Sequence, residues 1–250
     1  MKIIGLIPAR YASTRLPAKA LKDLAGKTMI QRVYEQAVKA TCLAKLVVAT
    51  DDARIYDHVK SFGGEVCMTR VDHPSGTDRC AEALNLQEGK FDYVINIQGD
   101  EPFIQPDQID LLGARLDGQT EIATLGKIIT QVEELESESE VKIALNVRRE
   151  ALYFSRSIIP YIVNGDADKA NWLKQYDFFK HVGMYAYRTD TVAQLTRLPI
   201  SPLEKVERLE QLRWLENGFK ISIVETTEET ICIDTPSDLE KARLLFAKGA

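Results

Sequence analysis

The sequence has few cysteines, and they follow no pattern. Its four cysteines are scattered through 250 residues and include no CxxC pair: Cys42, Cys67, Cys80 and Cys232. Disulfide frameworks belong to short, cysteine-dense secreted chains, and structural zinc sites usually carry closely spaced cysteine pairs. The spacing therefore predicts neither, and we expect these residues to behave as small buried apolar side chains.

An excess of basic residues and long apolar runs are also missing. The chain has 32 lysines and arginines against 37 aspartates and glutamates, a formal net charge of −5 at pH 7. Nucleic-acid binding usually leaves a basic footprint, so we expect no nucleic-acid partner. Neither a signal-peptide pattern nor a run approaching the length of a membrane span is visible. We therefore expect a cytoplasmic protein without stable membrane association.

What the sequence does contain is an alternation of apolar strands and amphipathic helices. Strand patterns lie in the opening residues and then in KLVVATDD, GEVCMTR and FDYVINIQGDEP, with helix patterns between them. This alternation predicts an α/β fold with a mainly parallel, Rossmann-like sheet and right-handed crossovers. Shorter, more alternating strands follow, and PLEKVERLEQLRWLENG has the pattern of one long polar-faced helix. We expect a single domain over residues 1–250, with a nucleotide-binding half at about 1–120 and a smaller mixed or antiparallel lobe at 121–250.

The most informative segment is residues 6–21, LIPARYASTRLPAKAL. The first strand pattern stops at Pro8, and the loop after it carries three cations, Arg10, Arg15 and Lys19. Open α/β sheets bind ligands at the carboxyl ends of their strands, so the cations indicate an anion such as the phosphate tail of a nucleotide. The alternative is a solvated surface loop whose charges have no specific partner.

Two acidic positions favour a metal site at the same edge of the sheet. Asp100 follows the strand VINI in QGDEP, and the pattern of CIDTPSDLEKARLL places Asp234 at a strand end, just before a helix opened by Thr235 and Pro236. Mg²⁺ prefers one or two carboxylates together with substrate phosphates and retained waters. For each acid the alternative is a helix cap or a solvated side chain.

Other segments carry weaker signals. In HPSGTDR, Ser75 and Gly76 lie where backbone amides and hydroxyls can meet the edge of a nucleobase, although a simple helix cap is the alternative. Arg156 could match a carboxylate, while His181 and Tyr185 could hold sugar hydroxyls. The ordinary alternatives for the last two are a structural hydrogen bond and a place in the core.

Together these segments resemble the 3-deoxy-manno-octulosonate (Kdo) cytidylyltransferase family. The resemblance covers essentially the whole chain and rests, in order, on LIPARYASTRLPAKAL, ATDD, GGEVCMTRVDHPSGTDR, VINIQGDEP, ALYFSRSIIP, HVGMYAY, PLEKVERLEQLRWLENG and IDTPSDLEKAR. It implies a magnesium-dependent enzyme, usually a homodimer, that joins Kdo to CTP and releases pyrophosphate for lipopolysaccharide synthesis. The choice between Kdo and its 8-amino analogue, the number of Mg²⁺ ions and the dimer surface stay open.

The resemblance also implies roles for individual residues. Those implied to contact CTP are Pro8, Ala9, Arg10, Ser13, Arg15, Lys19, Ser75, Gly76 and Gln98. Asp100 and Asp234 would hold Mg²⁺ and, with Arg10 and Lys19, form the catalytic set. The second part of the chain would bind the sugar and mediate dimerisation. The residues implied to surround the sugar acid are Gln98, Arg156, His181, Tyr185, Glu210 and Gln211.

The phosphate loop departs from the family pattern. The family commonly has PGKPL where this chain has PAKAL, so Ala18 and Ala20 replace glycine and proline. Because alanine restricts positive backbone φ angles, the effect on loop closure around Lys19 is left open.

Two other classes of protein share part of the pattern. A metal-dependent glycosyltransferase would have a similar sheet and acidic strand end but usually carries a DxD motif, which QGDEP is not. A nucleotide-binding regulator would bind CTP without turnover, and the presence of both Asp100 and Asp234 argues against it.

Overall fold

The computed structural model describes residues 1–12, 16–163, 165 and 167–247. The chain divides into two compact units, the first made of Met1–Ala114 with Glu229–Ala250 and the second of Arg115–Glu228. The first unit thus contains one segment before the second unit and one segment after it. The predicted division at about residue 120 instead gave each half one continuous segment. In the part of the chain that the structure describes, every helix is too short or too polar to span a bilayer.

Strands and helices alternate in the first unit as the sequence predicts. Its elements up to the boundary are β1 (Ile3–Ala9), a 3₁₀ turn (Lys19–Leu21), β2 (Asp23–Leu24), β3 (Lys27–Thr28), α1 (Met29–Ala37), β4 (Leu43–Thr50), α2 (Ala53–Ser61), β5 (Val66–Met68), α3 (Gly76–Asn85), β6 (Tyr93–Asn96) and α4 (Pro106–Ala114). Within this unit four strands pair in parallel, in the order β5, β4, β1, β6. The predicted parallel topology is confirmed.

Apolar periodicity explains these elements. Six of the seven residues of β1 are buried. On α1, one face is buried, formed by Met29, Ile30, Val33 and Ala37. Thr28 caps α1 by accepting a hydrogen bond from the Gln31 amide at 3.3 Å. One core cluster joins β1, β4, β6 and α3, and it fixes the ends of these strands relative to one another.

The second unit contains the shorter strands. Its elements are β7 (Ile122–Ile128), α5 (Val132–Glu136), β8 (Lys142–Leu145), β9 (Ala151–Ser155), α6 (Lys169–Gln175), β10 (Phe179–Arg188), α7 (Thr189–Leu195), α8 (Pro202–Glu207), α9 (Glu210–Glu216) and β11 (Ile221–Glu225), after which α10 (Pro236–Ala247) belongs to the first unit. Antiparallel pairs join β7 to β10, β10 to β8 and β8 to β9, whereas β11 is parallel to β7. The predicted mixed lobe is confirmed.

The prediction of one long helix over PLEKVERLEQLRWLENG is wrong. Arg208 has left-handed backbone angles, φ 55° and ψ 46°, and separates α8 from α9. The Glu207 carboxylate accepts hydrogen bonds from the Ser155 hydroxyl at 2.6 Å and the Arg156 amide at 3.1 Å. These contacts hold the last turn of α8 on the end of β9, a tertiary constraint that the helical periodicity does not contain.

Candidate active site

The carboxyl ends of the parallel strands in the first unit open onto a cavity of about 290 Å³. Every predicted nucleotide or metal residue that the structure describes lines it: Pro8, Ala9, Arg10, Lys19, Ser75, Gly76, Gln98, Asp100 and Asp234. Two predicted nucleotide contacts, Ser13 and Arg15, lie outside the described residues. The cavity is therefore built by segments that are far apart in the sequence and that the sheet brings to one edge.

Lys19 lies between the two candidate metal ligands. Its ammonium Nζ is 2.7 Å from Asp100 Oδ2 and 2.9 Å from Asp234 Oδ1. Burial alone would lower the pKa of Lys19, but the carboxylates of Asp100 and Asp234 outweigh burial, and the pKa is raised above its ordinary value. The Lys19 amine therefore stays protonated at pH 7 while it contacts these two acids.

The backbone around Lys19 resolves the question of the alanine substitutions. Ala18 adopts the left-handed conformation, φ 56° and ψ 35°, directly before the 3₁₀ turn that carries Lys19. Its amide donates to the Tyr11 carbonyl at 3.3 Å, and its carbonyl accepts from the Leu21 amide at 2.9 Å. The loop keeps the conformation that glycine favours although it has alanine at this position.

Close backbone packing places Asp100. A Cβ atom at Gly99 would lie 2.8 Å from the Pro8 carbonyl oxygen, so only glycine allows the acidic segment to approach the end of β1 this closely. The Asp100 carbonyl in turn accepts a hydrogen bond from the Ile233 amide at 3.0 Å. That bond joins the segments before and after the second unit and brings Asp234 beside Asp100.

The predicted strand before Asp234 is not formed. Residues 226–235 have no regular secondary structure. Among the described residues, the Thr226 amide donates to the Gly126 carbonyl at 3.0 Å and the Ile233 amide to the Asp100 carbonyl, and these two separate bonds do not form a ladder. The helix start is as predicted, since the Thr235 hydroxyl accepts from the Asp238 amide at 3.2 Å and α10 begins at Pro236. Asp234 lies just outside that helix start with its carboxylate on Lys19.

The donor set suits a hard divalent cation. Asp100, Cys232 and Asp234 each offer one ligand atom, and these atoms lie within 4.8 Å of one another. Two carboxylates in a phosphate-sized cavity match what Mg²⁺ prefers, whereas a thiol is a soft ligand that it does not use. The Lys19 ammonium already shows that the carboxylates accept a cation between them. Cys80 is buried, Cys42 and Cys67 are partly exposed and Cys232 is exposed, so the expectation of four buried cysteines is confirmed only for Cys80.

The second acid of QGDEP points into the protein. Glu101 is buried, and its Oε2 has no hydrogen-bond partner among the described residues. Burial, reinforced by the charge of Asp100, raises the pKa of Glu101 to about 8. The strand end therefore supplies one carboxylate to the cavity, and the other acid is kept largely neutral at pH 7.

The segment before α3 forms another wall of the cavity. The Ser75 hydroxyl oxygen accepts from the Asp78 amide at 3.2 Å, so Ser75 caps α3 while it lines the cavity. A Cβ at Gly76 would lie 3.5 Å from Pro8 Cγ, an ordinary contact. The helix cap is confirmed, and because Ser75 also lines the cavity, the cap does not exclude the predicted binding role.

A buried ion pair behind this wall was not predicted from the sequence. Arg79 Nη2 lies 2.8 Å from Asp51 Oδ2, and the two side chains are 4% and 7% exposed. Arg79 also donates to the Thr69 hydroxyl at 2.6 Å, while Asp51 Oδ1 accepts from the Tyr11 amide at 3.2 Å. The pair connects α3 with the phosphate loop. The two residues lie in the segments ATDD and SGTDR. A charged residue among buried neighbours is usually paired, so these segments contain a pattern that indicates an ion pair.

In the second unit, Arg156 is held by backbone carbonyls. Its Nε donates to the Glu207 carbonyl and its Nη1 to the Glu138 carbonyl, each at 2.9 Å. The break after α8 leaves the Glu207 carbonyl available for this bond. The guanidinium is thus held in one orientation without a carboxylate partner in these contacts, which suits recognition of an acid.

His181 and Tyr185 lie on β10 with their ring centroids 5.1 Å apart. Burial lowers the pKa of His181 to about 4, so its ring is neutral at pH 7, and its Nε2 lies 3.0 Å from the Thr124 hydroxyl. The Tyr185 hydroxyl is buried with no hydrogen-bond partner among the described residues, and burial raises its pKa. A buried hydroxyl of this kind is suited to pair with a ligand.

The two remaining residues of the predicted sugar set lie at the start of α9. Glu210 is 3.6 Å from Arg213, and Gln211 is buried. The charge of Glu210 also contributes to the raised pKa of Tyr185, after burial and the Tyr187 ring, so Glu210 faces the same region of the second unit. The described contacts do not connect Gln211 with the other members of the set.

The chain is similar to known proteins over nearly its full length. The family model described as "Cytidylyltransferase" matches residues 4–223. The chain is 56% identical over 246 residues to 3-deoxy-manno-octulosonate cytidylyltransferase of Bacteroides thetaiotaomicron, covering 97% of each chain, and 52% identical over 239 residues to that of Cytophaga hutchinsonii, covering 96% and 95%. A solved structure of CMP:2-keto-3-deoxy-manno-octonic acid synthetase complexed with CTP matches with a TM-score of 0.91 at 44% identity, over the full length of both chains.

Proposed function

The chain belongs to the family of 3-deoxy-manno-octulosonate cytidylyltransferases, and from that premise we propose that it transfers the cytidylyl group of CTP to Kdo, forming CMP-Kdo and releasing pyrophosphate. The observation that carries the proposal is the cluster of Lys19, Asp100 and Asp234 in a cavity lined by the motifs of the first unit. Magnesium dependence, a homodimer, a cytoplasmic location and a role in lipopolysaccharide synthesis are part of the same proposal, and they rest on the family resemblance.

The reaction needs charge stabilisation more than it needs covalent chemistry. The anomeric hydroxyl of the sugar acid attacks the α-phosphorus in line with the departing pyrophosphate, and negative charge spreads over the equatorial and leaving oxygens. Arg10 and Lys19 both line the cavity and carry the positive charge that can offset it. His73 also lines the cavity and pairs with the Glu82 carboxylate. We assign no residue the role of general base, and positioning and electrostatics supply most of the rate.

Asp100 and Asp234 would hold Mg²⁺. When bound there, the ion would polarise the α-phosphate and lower the pKa of the attacking hydroxyl. The two aspartates provide its negative ligands, and Glu101, with a pKa of about 8, adds little further negative charge at pH 7. This arrangement limits the repulsion that the triphosphate meets on entering an acidic strand end.

The second unit supplies groups suited to a sugar acid. Arg156 can pair with the carboxylate, and the Tyr185 hydroxyl and the neutral His181 ring can pair with hydroxyl groups. These are uncharged or fixed donors, in contrast to the mobile cations of the first unit. They therefore support selection of a polyhydroxylated acid as the nucleophile.

A substrate panel tests the proposal. Pyrophosphate release is measured with CTP or UTP against Kdo, 8-amino-Kdo and a sialic acid, in the presence of Mg²⁺. We expect release with CTP and Kdo that requires the metal. Activity only with a preformed nucleotide sugar would instead support a glycosyltransferase. Stabilisation by CTP with no turnover of any acid would support a regulator, and either result would overturn the proposal.

A further inference from the structure

The Lys19 ammonium occupies the position in the first unit that is suited to a divalent cation. It contacts one oxygen of each carboxylate, at 2.7 Å from Asp100 and 2.9 Å from Asp234. The three side chains are only 16%, 26% and 32% exposed, so the pair is partly shielded from water. Without a cation between them, two carboxylates this close would repel each other.

A lysine and a metal ion cannot use these oxygens in the same way at the same time. Mg²⁺ binds carboxylate oxygens at about 2.0–2.1 Å and requires near-octahedral geometry around itself. An ammonium that donates to both inner oxygens fills the approach to them. The carboxylates can therefore take the metal fully only after Lys19 has moved away.

The backbone of Lys19 is held in place, whereas its side chain is long and flexible. Its backbone is held by the turn around Ala18, through the bonds from the Ala18 amide and to the Ala18 carbonyl. A four-carbon lysine stem is intrinsically flexible, and Lys19 lines the same cavity as Arg10. An anion bound in that cavity would give Lys19 a second partner within reach of the same backbone position.

We propose that Lys19 is an internal substitute for the divalent cation, which holds Asp100 and Asp234 together until the triphosphate draws it away, so that nucleotide and metal bind as a coupled pair. The inference rests on the proposed function for the identity of that anion. By linkage, the metal strengthens nucleotide binding by the same factor as the nucleotide strengthens metal binding. Removing Lys19 should therefore tighten binding of the metal alone, although it removes a residue of the catalytic set.

The experiment measures binding of Mn²⁺ alone to the full chain, without nucleotide, from the electron paramagnetic resonance signal of free Mn²⁺. We expect Lys19→Gln to bind Mn²⁺ about tenfold more tightly than the unaltered protein, the size expected for two partly exposed ion pairs. Lys19→Arg keeps the charge and should leave the affinity near the original value. Arg10→Gln removes one positive charge from the same cavity without touching the carboxylates, and it should change the affinity less than about twofold.

Equal or weaker Mn²⁺ binding by Lys19→Gln would overturn the inference, as would an equal gain in Arg10→Gln, which would reduce the effect to net charge. A second measurement on the unaltered protein covers the case in which Lys19→Gln does not fold. The ¹⁵N resonance of the Lys19 ammonium, assigned by its loss in Lys19→Arg, should shift when CTP is added in EDTA, and an unmoved resonance would contradict the proposal. Because the Mn²⁺ measurement uses neither CTP nor Kdo, its result is separate from failure of the proposed reaction.

Discussion

The two units hold their candidate site residues in opposite ways. In the first unit, charged side chains line an open cavity, and the Lys19 ammonium pairs with two acids. In the second unit, burial keeps the His181 ring neutral at pH 7, the buried Tyr185 hydroxyl has no hydrogen-bond partner among the described residues, and the charged Arg156 is held by backbone carbonyls. The first arrangement suits a charged ligand. The second is adapted to a ligand that is recognised by hydrogen-bond geometry.

The largest expected effect comes from the acids of the first unit. Asp100→Asn removes one negative metal ligand while keeping its shape, so turnover should fall by at least about a hundredfold with little loss of folding. Pyrophosphate release and thermal unfolding measure the two quantities separately. Near-normal turnover in a well-folded variant would refute the role of Asp100 and with it the charged character assigned to this unit.

The second unit should respond to pH through a neutral histidine. The folded pKa of His181, about 4, is below its ordinary value of 6.5, so the unfolded chain takes up the proton first and stability is lost as the pH falls below 6.5. Between pH 7 and pH 5 this costs about 2 kcal/mol at 1.4 kcal/mol per pKa unit. Denaturant unfolding at both pH values should show that His181→Gln loses less stability than the unaltered protein. Equal losses would show that His181 is not held neutral.

The Tyr185 hydroxyl, which has no hydrogen-bond partner among the described residues, gives a further test of how the second unit binds its ligand. Tyr185→Phe should raise KM for Kdo about tenfold, leave KM for CTP unchanged and not lower the unfolding free energy, because the lost hydroxyl has no partner among the described residues. Tyr187→Phe, on the same strand, is the matched control and should leave KM for Kdo unchanged. An unaltered KM for Kdo in Tyr185→Phe would place this hydroxyl outside the sugar site.

The smallest expected effect concerns the phosphate loop. Ala18→Gly relieves left-handed strain of about 1–2 kcal/mol, partly offset by the 0.5–1 kcal/mol of extra entropy that glycine loses, for a net gain of roughly 0.5–1 kcal/mol. Ala25 also has a left-handed backbone conformation, with φ 55°, and Ala25→Gly should raise the stability by a similar amount. Thermal unfolding measures both gains. A loss of stability in Ala18→Gly would show that the alanine methyl makes contacts that outweigh the strain.

The sequence pattern predicted the features that depend on interactions between residues close in the sequence. The buried β1, the capped α1 and the cluster of acids and cations at one sheet edge follow from hydrophobic periodicity, capping residues and the geometry of parallel strands. The residue pattern and the family resemblance both assigned Asp100 and Asp234 to one site, and the structure brings the two together through Lys19.

Other features depend on contacts between residues far apart in the sequence, and the sequence pattern could not predict them. The break at Arg208 depends on Glu207 reaching Ser155, 52 positions earlier in the chain, and nothing in the helical period of that segment records it. The Asp51 and Arg79 pair is 28 positions apart, and each residue alone is compatible with a solvated loop. The position of Lys19 on the acids was likewise hidden, because the loop pattern indicated only that an anion was needed.

The hydrogen bond from Ile233 to Asp100 also has a consequence for biosynthesis. Lys19 and Asp234 are 215 positions apart, so the ribosome must add all the residues between them before Asp234 can join the others. The early strands can form while synthesis continues, because domains generally fold as units during translation. The acidic pair is therefore completed late in synthesis, when the segment from Glu229 onward joins the first unit, and a chain that stopped before residue 234 would lack one of the two acids.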